Sequence, residues 1–191
     1  MIPIVTPAEM AAIDAAAPVP VAVLVERAGA AVARAAVDLL GGTYGRRVAV
    51  IAGKGNNGAD GRAAATRLQR RGARCVVLDP DSAALPVEVD LVIDAAYGTG
   101  LSRPYDFPTV PEGVPVLAVD IPSGVDGLTG ARLGSPAAAD RTVTFAALKP
   151  GLLLEPGREL AGKVVIADIG LDTGDATIDL VEGSDLSLIH I

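Results

Sequence analysis

Residues 47–61, RVAVIAGKGNNGADG, decide the fold. Residues 47–52 form a short and almost wholly apolar run, which is typical of a strand buried in a parallel sheet. A glycine-rich loop follows this run, and residues 60–72 then have a helical pattern that ends at Gly72. A strand, a glycine-rich loop and a helix in this order predict one unit of an α/β sheet.

The rest of the chain extends this unit on both sides. Upstream, helices are predicted over 7–17 and 20–40, and Thr6 stands three residues before Glu9, which is the spacing of a capping box. Further buried strands are predicted at 74–78, 90–94, 114–119, 142–145 and 163–167. Apolar strands separated by crossover lengths indicate a mostly parallel sheet covered on both faces, so the predicted fold class is α/β.

The composition argues against several classes of protein. The net charge of −7 and the 3% of aromatic residues argue against nucleic-acid binding. No apolar run reaches the roughly 18 residues that suggest a membrane span, and no secretory signal is evident at the N-terminus. The single cysteine, Cys75, excludes an internal disulfide and fits a reducing cytosol, so a cytoplasmic location is predicted.

The rarest residues limit the chemistry. The only histidine, His190, is second from the end, so a Ser-His-Asp or Cys-His mechanism has no base and a zinc site lacks its usual ligands. Acid–base chemistry must then use carboxylates, lysine or tyrosine. Only three lysines are present, at positions 54, 149 and 163.

The glycine-rich loop has the spacing of a dinucleotide fingerprint. Gly53, Gly55 and Gly58 satisfy G-x-G-x-x-G between a strand and a helix, and Asp79 stands 21 residues after Gly58, where a ribose-binding acid is expected. Taken alone, this pattern favours an NAD-dependent dehydrogenase, and the alternative is a tight turn without a ligand. The oxygens of the neighbouring asparagines and of Asp60 suit a hard cation, although such residues serve equally well in turns and caps.

Two more polar loops follow strands. Residues 94–104, DAAYGTGLSRP, come after the third predicted strand of the sheet, and residues 120–127, DIPSGVDG, come after the fourth. Asp94 and Asp120 thus stand at the carboxyl ends of strands, where open parallel sheets bind ligands. We expect the three loops to converge on one crevice.

Together, residues 53–61, 94–100 and 120–124 resemble the epimerase domain of NAD(P)H-hydrate repair enzymes, the YjeF N-terminal domain family. The likeness extends from Glu9 and from 24–29 to 149–151 and 167–171, nearly everything before the tail. It implies a Rossmann-like three-layer α/β/α sandwich with two N-terminal helices. It also implies a homodimer, often fused to a C-terminal dehydratase domain. The family usually has glycine where Ala59 stands, and we expect its methyl group to narrow the loop's conformations without loss of function.

The resemblance implies roles for individual residues. It implies that the substrate is the hydrated form of NADH or NADPH, called NAD(P)HX, and that one potassium ion per subunit is held by Asn57, Asp94 and Ser123. The substrate-binding residues implied by the family are Asn56, Asn57, Gly58, Ala59, Asp60, Gly98, Thr99, Gly100, Leu101, Ser102, Arg103, Pro104 and Asp120.

The implied reaction interconverts the R and S forms of NAD(P)HX at C6 in nicotinamide nucleotide repair. Breaking and reforming the C–O bond needs an acid–base group that also stabilises a cationic ring, and the first candidate is Asp120. The second is Lys149, one of the three lysines, placed before a Pro-Gly turn; its alternative is a surface or C-cap lysine. Two other functions stay open, a dehydrogenase and a non-catalytic scaffold module of the same family.

The end of the chain loses the strand–helix pattern. We therefore assign residues 1–175 to the epimerase-like domain and residues 176–191 to a tail. Residues 186–191, LSLIHI, look like a translated adapter sequence. On that interpretation the natural chain is truncated before a dehydratase domain, and the alternative is an ordinary C-terminal strand.

Overall fold

The computed structural model describes residues 2–82, 84–174 and 176–181. His190 and the adapter-like residues lie outside this part. The elements in chain order are β1 (Ile2–Ile4), α1 (Pro7–Ala15), α2 (Val21–Leu40), β2 (Arg47–Ala52), α3 (Asn56–Arg70), β3 (Arg74–Leu78), β4 (Leu91–Ala95), β5 (Tyr105–Asp106), β6 (Val116–Val119), β7 (Gly134–Ser135), β8 (Arg141–Phe145), a 3₁₀ turn (Pro150–Leu152), α4 (Gly157–Ala161), β9 (Lys163–Ala167) and β10 (Ile178–Leu180).

Six parallel strands form the central sheet, in the order β3-β2-β4-β6-β8-β9. This confirms the α/β class and the mostly parallel sheet. The chain builds β3 on one side of β2 and then places β4 on the other side, so the strand order reverses between β2 and β4. A crevice opens at the carboxyl ends of strands at such a reversal. The three polar loops follow β2, β4 and β6.

Burial of the strands follows their place in the sheet. Every residue of β4 and β6 is buried, as are all but the first residue of β2. The edge strands β3 and β9 are partly exposed along their length. The interior strands therefore have the uninterrupted apolar sequences that identified them, since both of their faces are covered.

The two faces of the sheet are covered in different ways. On one face α2 and α3 pack together, and Val32 and Leu68 join a core with Val50 and Ile93 of the sheet. On the other face, the segment between β4 and β6 contains no helix, and its Tyr105 packs over the sheet instead. Four prolines in this segment, at 104, 108, 111 and 115, explain the absence of a long helix, because proline breaks a helix interior.

The first helices differ slightly from their predicted bounds. The capping box of α1 is present, with both hydrogen bonds between Thr6 and Glu9. Helix α3 begins at Asn56, four residues before the predicted start, with Gly55 as its N-cap. The asparagines and glycines of the loop made this first turn look irregular in sequence, but its backbone is helical.

Residues 178–180, inside the segment assigned to the tail, form β10 and pair antiparallel with β1. The Thr177 hydroxyl also donates a hydrogen bond to Glu9 at the start of α1. The division at residue 175 remains a prediction. None of the helices that the structure describes is long and apolar enough to cross a membrane.

Candidate functional site

A crevice of about 570 Å³ lies at the carboxyl end of the sheet. It is bounded by α1, α2 and the start of α3, together with the loops that follow β4, β6 and β8. It brings together most of the residues implied by the family resemblance: Asn56, Asn57, Asp60, Gly98, Thr99, Gly100, Leu101, Ser102, Arg103, Asp120 and Lys149. Gly58, Ala59, Pro104, Asp94 and Ser123 are not among its lining residues.

Two glycines of the fingerprint allow close packing behind the crevice. A Cβ atom on Gly58 would lie 1.8 Å from the carbonyl oxygen of Gly53. One on Gly53 would lie 2.0 Å from the carbonyl oxygen of Ala96. A Cβ on Gly55, by contrast, would meet nothing within 4 Å. Gly53 and Gly58 let α3 approach the ends of β2 and β4. This packing accounts for both glycines without a bound phosphate.

One side of the crevice, which we call the strand-end wall, consists of Asp120, Thr144 and Lys149. The ammonium group of Lys149 contacts Asp120 Oδ1 at 2.7 Å. It also donates to the Thr144 hydroxyl at 2.8 Å and to the Phe145 carbonyl oxygen at 2.9 Å. The Thr144 hydroxyl in turn donates to Asp120 Oδ1 at 3.2 Å. Lys149 is fully buried, and all three of its N–H donors are occupied.

Tight backbone turns build the strand-end wall. Asp120 has a φ of 68°, and the amide of Ile121 donates to the carbonyl oxygen of Val119 at 2.9 Å. Ala146, after the neighbouring strand β8, has a φ of 63° and is spanned by the same i to i+2 hydrogen bond. A non-glycine residue in such a three-residue turn is strained. The two turns aim Asp120 and Lys149 at each other across adjacent strand ends.

The opposite side, which we call the helix wall, consists of Asn57 and Asp60 in the first turns of α3. Both polar atoms of the Asn57 amide are buried and have no hydrogen-bond partner. Asp60 is 7% exposed, and within the described residues its carboxyl group has no hydrogen bond or ion pair. The Asn57 side chain lies against Gly98, whose bare α-carbon also faces Asp120 Oδ2. Gly98 thus stands where the two walls meet.

Acidic groups share the crevice, and the pKa values of two of them, Asp60 and Asp14, are raised. Burial, followed by the charges of Asp120 and Asp14, raises the pKa of Asp60 to about 8. Asp14 is an exposed residue of α1 that lines the same crevice. Loss of solvent, followed by the charge of Asp120, raises the pKa of Asp14, while Lys149 opposes this shift.

Asp94 lies behind the crevice. Because β4 runs to Ala95, Asp94 is inside the strand instead of ending it, and it is 1% exposed. Its Oδ2 accepts a hydrogen bond from the Ser123 amide at 2.7 Å, and the Ser123 hydroxyl contacts its Oδ1. That hydroxyl also accepts from the Tyr97 amide at 2.9 Å. Burial raises the pKa of Asp94 to about 6, although these hydrogen bonds oppose the rise.

The loop after β4 forms the mouth of the crevice. Arg103 donates to the Tyr97 hydroxyl at 2.8 Å, and its guanidinium carbon lies 5.2 Å from the centre of the Tyr97 ring. Tyr97 packs edge-on against the buried Tyr105, with 4.9 Å between ring centres. The mouth therefore carries the guanidinium group of Arg103 packed against the Tyr97 ring. The interior carries the carboxyl groups of the lining acids.

Two expectations about this region, for Asp79 and for Ala59, change with the structure. Asp79 follows β3, on the side of β2 away from β4, and it is exposed and does not line the crevice. This removes the residue that most favoured a dehydrogenase. Ala59 belongs to α3, where its amide bonds to the Gly55 carbonyl oxygen at 3.1 Å. Its methyl group therefore lies on a helix and constrains no loop.

Sequence reasoning missed Asp14, Thr144 and Tyr97. Thr144, one of two buried threonines in β8, was a usable signal, because a buried hydroxyl needs a partner. Asp14 follows Met10 by four residues, which puts both on one face of α1, and both line the crevice. The sequence does not tell which face of α1 meets the site.

Comparisons with known proteins identify the family of the chain. A family model described as "YjeF-related protein N-terminus" matches residues 21–84 and 76–151. The NAD(P)H-hydrate epimerase of Limosilactobacillus fermentum is 36% identical over 182 residues, which cover 78% of this chain and 86% of that protein. The bifunctional NAD(P)H-hydrate repair enzyme Nnr of Thermofilum pendens is 40% identical over 187 residues, which cover 77% of this chain. The chain spans 35% of the length of that bifunctional relative.

A solved structure has the same architecture. The crystal structure of yeast ynu0 superposes with a TM-score of 0.66 at 26% identity, covering 78% of this chain and 82% of that chain. The family match spans the loops after β2, β4 and β6, which are the loops that meet at the crevice. The chain therefore belongs to the family of YjeF-related N-terminal domains.

Proposed function

We propose that this domain is an isomerase that interconverts the R and S epimers of NAD(P)HX, as the names of its relatives indicate for those proteins. The observation that carries the proposal is the position of Asp120. Its Oδ1 is held by Lys149 and Thr144, while its Oδ2 is directed to the crevice beside Gly98. A carboxylate held in this way suits a reaction that passes through a cationic ring.

The contacts separate the roles of Asp120 and Lys149. Every N–H of Lys149 is engaged by a protein oxygen, and the residue is fully buried. Lys149 therefore acts as a positioning residue that fixes the carboxylate of Asp120. Asp120 is the acid–base group, because its second oxygen faces the space where a substrate would lie. The lining residues of α3 and of the loop 98–103 bind the nucleotide.

The test is epimer interconversion followed by chromatography, starting from a single epimer. Asp120→Asn and Asp120→Ala should lose activity by about 100-fold or more, while calorimetry still detects nucleotide binding. A matched control is Asp106→Asn, because Asp106 is an exposed residue of β5 outside the crevice. Full activity of both Asp120 variants would contradict the assignment. Failure of the wild-type protein to bind the nucleotide would favour the scaffold alternative.

We also propose that Asn57, Asp94 and Ser123 hold one potassium ion. Asn57 supplies an amide oxygen without a partner, and Asp94 is a buried carboxylate with no cationic side chain against it among the described residues. Contacts connect these residues, since Asn57 lies against Gly98 and the adjacent Tyr97 bonds to Ser123. Oxygen donors of this kind fit a hard cation. The ion would supply positive charge that orders the loops around the nucleotide.

The potassium proposal has a test that does not depend on activity. The thermal midpoint of unfolding should rise with KCl more than with equal concentrations of choline chloride. Asn57→Ala should abolish the difference, whereas Asn56→Ala should retain it, because Asn56 is exposed and is not a proposed ligand. Equal midpoints in the two salts for the wild-type protein would contradict the site.

From the family resemblance we further propose that the domain acts as a homodimer in the cytoplasm. Light scattering coupled to size-exclusion chromatography at micromolar concentration tests the dimer, and a monomeric mass would contradict it. Fractionation of the source cells tests the location.

A further inference from the structure

We propose that Asp60 is a second catalytic residue, a neutral carboxyl group that gives its proton to the departing hydroxyl while Asp120 serves as the charged partner. The inference rests on the proposed epimerase function and extends it. The family resemblance assigned Asp60 only to substrate binding. The structure adds its burial and, in the part of the chain that it describes, the lack of an ion-pair partner.

Asp60 is largely buried and has no ion-pair partner within the described residues. The residue is only 7% exposed, that is, 93% buried. No hydrogen bond or ion pair reaches its carboxyl group within the described residues. It nevertheless lines the same crevice as Asp120 and Asn57. A buried ionised carboxylate without a partner is costly, so such a group takes up a proton instead. The neutral form then offers an O–H donor to a ligand in the crevice.

Among the described residues, no basic side chain around the crevice forms an ion pair with Asp60. Lys149 directs its three N–H groups to Asp120, Thr144 and Phe145. Helix α1 presents another acid, Asp14, and α2 lines the crevice with Val21, Leu24, Val25 and Ala28.

The basic residues near the start of α3 are also engaged elsewhere or exposed. The Arg62 guanidinium donates to the carbonyl oxygens of Gly53 and Ala52 at 2.6 and 2.9 Å. Lys54 lines the same crevice but is exposed, and no ion pair joins it to Asp60 within the described residues. Arg103 is engaged with Tyr97 at the mouth. In agreement, burial and the charges of Asp120 and Asp14 raise the pKa of Asp60 to about 8.

The two carboxyl groups together complete the inversion. Asp60 transfers its proton to the oxygen on C6, and the C6–O bond breaks with its electron pair leaving as water. The lone pair of the ring nitrogen forms an N=C6 double bond, so the ring becomes a cation. Water then adds to the opposite face of C6, the electron pair of the double bond returns to the nitrogen, and Asp120 accepts the proton through Oδ2.

No redox partner is needed in this scheme. One proton has moved from Asp60 to Asp120, and exchange through solvent restores the starting state. In the reverse direction the two groups exchange roles. Two carboxyl groups held in different protonation states are the arrangement that divides acid and base work in an active site.

A spectroscopic experiment tests the protonation state without reference to activity. Protein labelled with ¹³C at the aspartate carboxyl carbons is titrated by NMR, and Asp60→Asn identifies the Asp60 resonance by its loss. One carboxyl group should remain protonated at pH 7 and should titrate near pH 8. An Asp60 resonance that titrates at its ordinary pKa overturns the proposal.

A kinetic experiment tests the catalytic role. Asp60→Asn should lower the epimerisation rate about 100-fold or more, and it should remove the fall in wild-type rate expected above pH 8. Asp60→Ser serves as a second variant if the first fails to fold, and Asp106→Asn is the control. A folded Asp60 variant with the wild-type rate and pH profile overturns the inference alone. A wild-type protein without epimerase activity overturns the proposed function, and the NMR result still reports on Asp60.

Discussion

The strand-end wall carries charged groups that complete each other's contacts, whereas the helix wall carries polar groups without contacts. Lys149, Thr144 and Asp120 form a closed set of hydrogen bonds between the ends of adjacent strands. Asn57 and Asp60 line the same crevice from α3. Both polar atoms of the Asn57 amide are buried without a partner, and no hydrogen bond reaches the Asp60 carboxyl group within the described residues. The difference reflects how each wall is built. Strand ends bring distant residues together, while neighbouring turns of one helix direct their side chains into open space.

This contrast indicates a division of labour. A wall whose contacts are complete is rigid before a ligand arrives and costs no reorganisation during reaction. A wall with unsatisfied polar groups lowers stability, because buried polar atoms without hydrogen bonds are costly. Removing a group from the first wall should therefore destabilise the protein. Removing one from the second should not.

Lys149→Met should have the largest effect on stability. It leaves Asp120 largely buried without its counter-ion, and breaking a buried pair in this way costs about 3–5 kcal/mol. Because the Asp120 side chain is 15% exposed, we expect a loss of unfolding free energy in the lower part of that range. Urea unfolding measures the change, and Lys163→Met is the control because Lys163 is exposed. Equal stability of the two variants would show that the strand-end wall is not held by this pair.

Asp60→Asn should change how stability depends on pH. The folded pKa of Asp60 is raised from 3.8 to about 8, so the folded state keeps a proton that the unfolded state releases. Stability then falls as the pH rises through this window, by about 1.4 kcal/mol per unit for one proton. The raised pKa of Asp94 contributes to this pH dependence of stability only up to about pH 6.

From pH 6 to pH 8, wild type should therefore lose about 2 kcal/mol more unfolding free energy than Asp60→Asn. Urea unfolding at several pH values measures both curves. If the unfolding free energies of the two proteins change in parallel over this interval, the Asp60 carboxyl group is already ionised in the folded protein. The helix wall would then not differ from the strand-end wall in its charge state.

Ala59→Gly should lower the free energy of unfolding by about 1 kcal/mol, because glycine is a poorer helix former than alanine. Ala59 lies in the first turns of α3, and its side chain is not part of the crevice lining. The epimerisation rate should stay unchanged. A large loss of activity with unchanged stability would mean that Ala59 acts on the ligand and not on the helix.

Asn57→Ala should have the smallest effect on stability, within about 0.5 kcal/mol of the wild type in the absence of potassium. The variant removes two buried polar atoms that have no partners and inserts a better helix former. Asn56→Ala isolates the helix-forming contribution, since Asn56 is exposed in the same turn. A loss of more than about 1 kcal/mol relative to Asn56→Ala would reveal a hydrogen bond in the helix wall.

Much of the fold was predictable because its signals are local. The apolar runs of β2, β3 and β9 gave the correct bounds, and the capping box marked the start of α1. The start of α3 was predicted too late, since Asn56, Asn57 and Gly58 resemble loop residues. The helix is formed there because Gly58 lets it approach the loop before it. The covering of the second sheet face depends on distant aromatic contacts, which no local pattern encodes.

The candidate site was predictable in its positions but not in its contacts. Polar residues after β2, β4 and β6 indicated a crevice, because parallel strands end at one edge. The expectation that Asp79 lies at the ligand site was wrong, because the spacing of the fingerprint does not indicate the order of the strands in the sheet. The actual crevice lies on the other side of β2.

The sequence by itself determined the parallel sheet, the edge at which its loops meet and two of the acids that line the crevice, Asp60 and Asp120, because burial and turn chemistry follow from neighbouring residues. Only the tertiary structure decided how those groups are paired. It joined Lys149 to Asp120 across strands, and within the described residues it gave the Asn57 amide no hydrogen bond and Asp60 no ion pair. Charge state depends on desolvation and on contacts between residues far apart in the chain. The glycine-rich loop is thus the first turn of a helix whose unsatisfied side chains face a preorganised carboxylate.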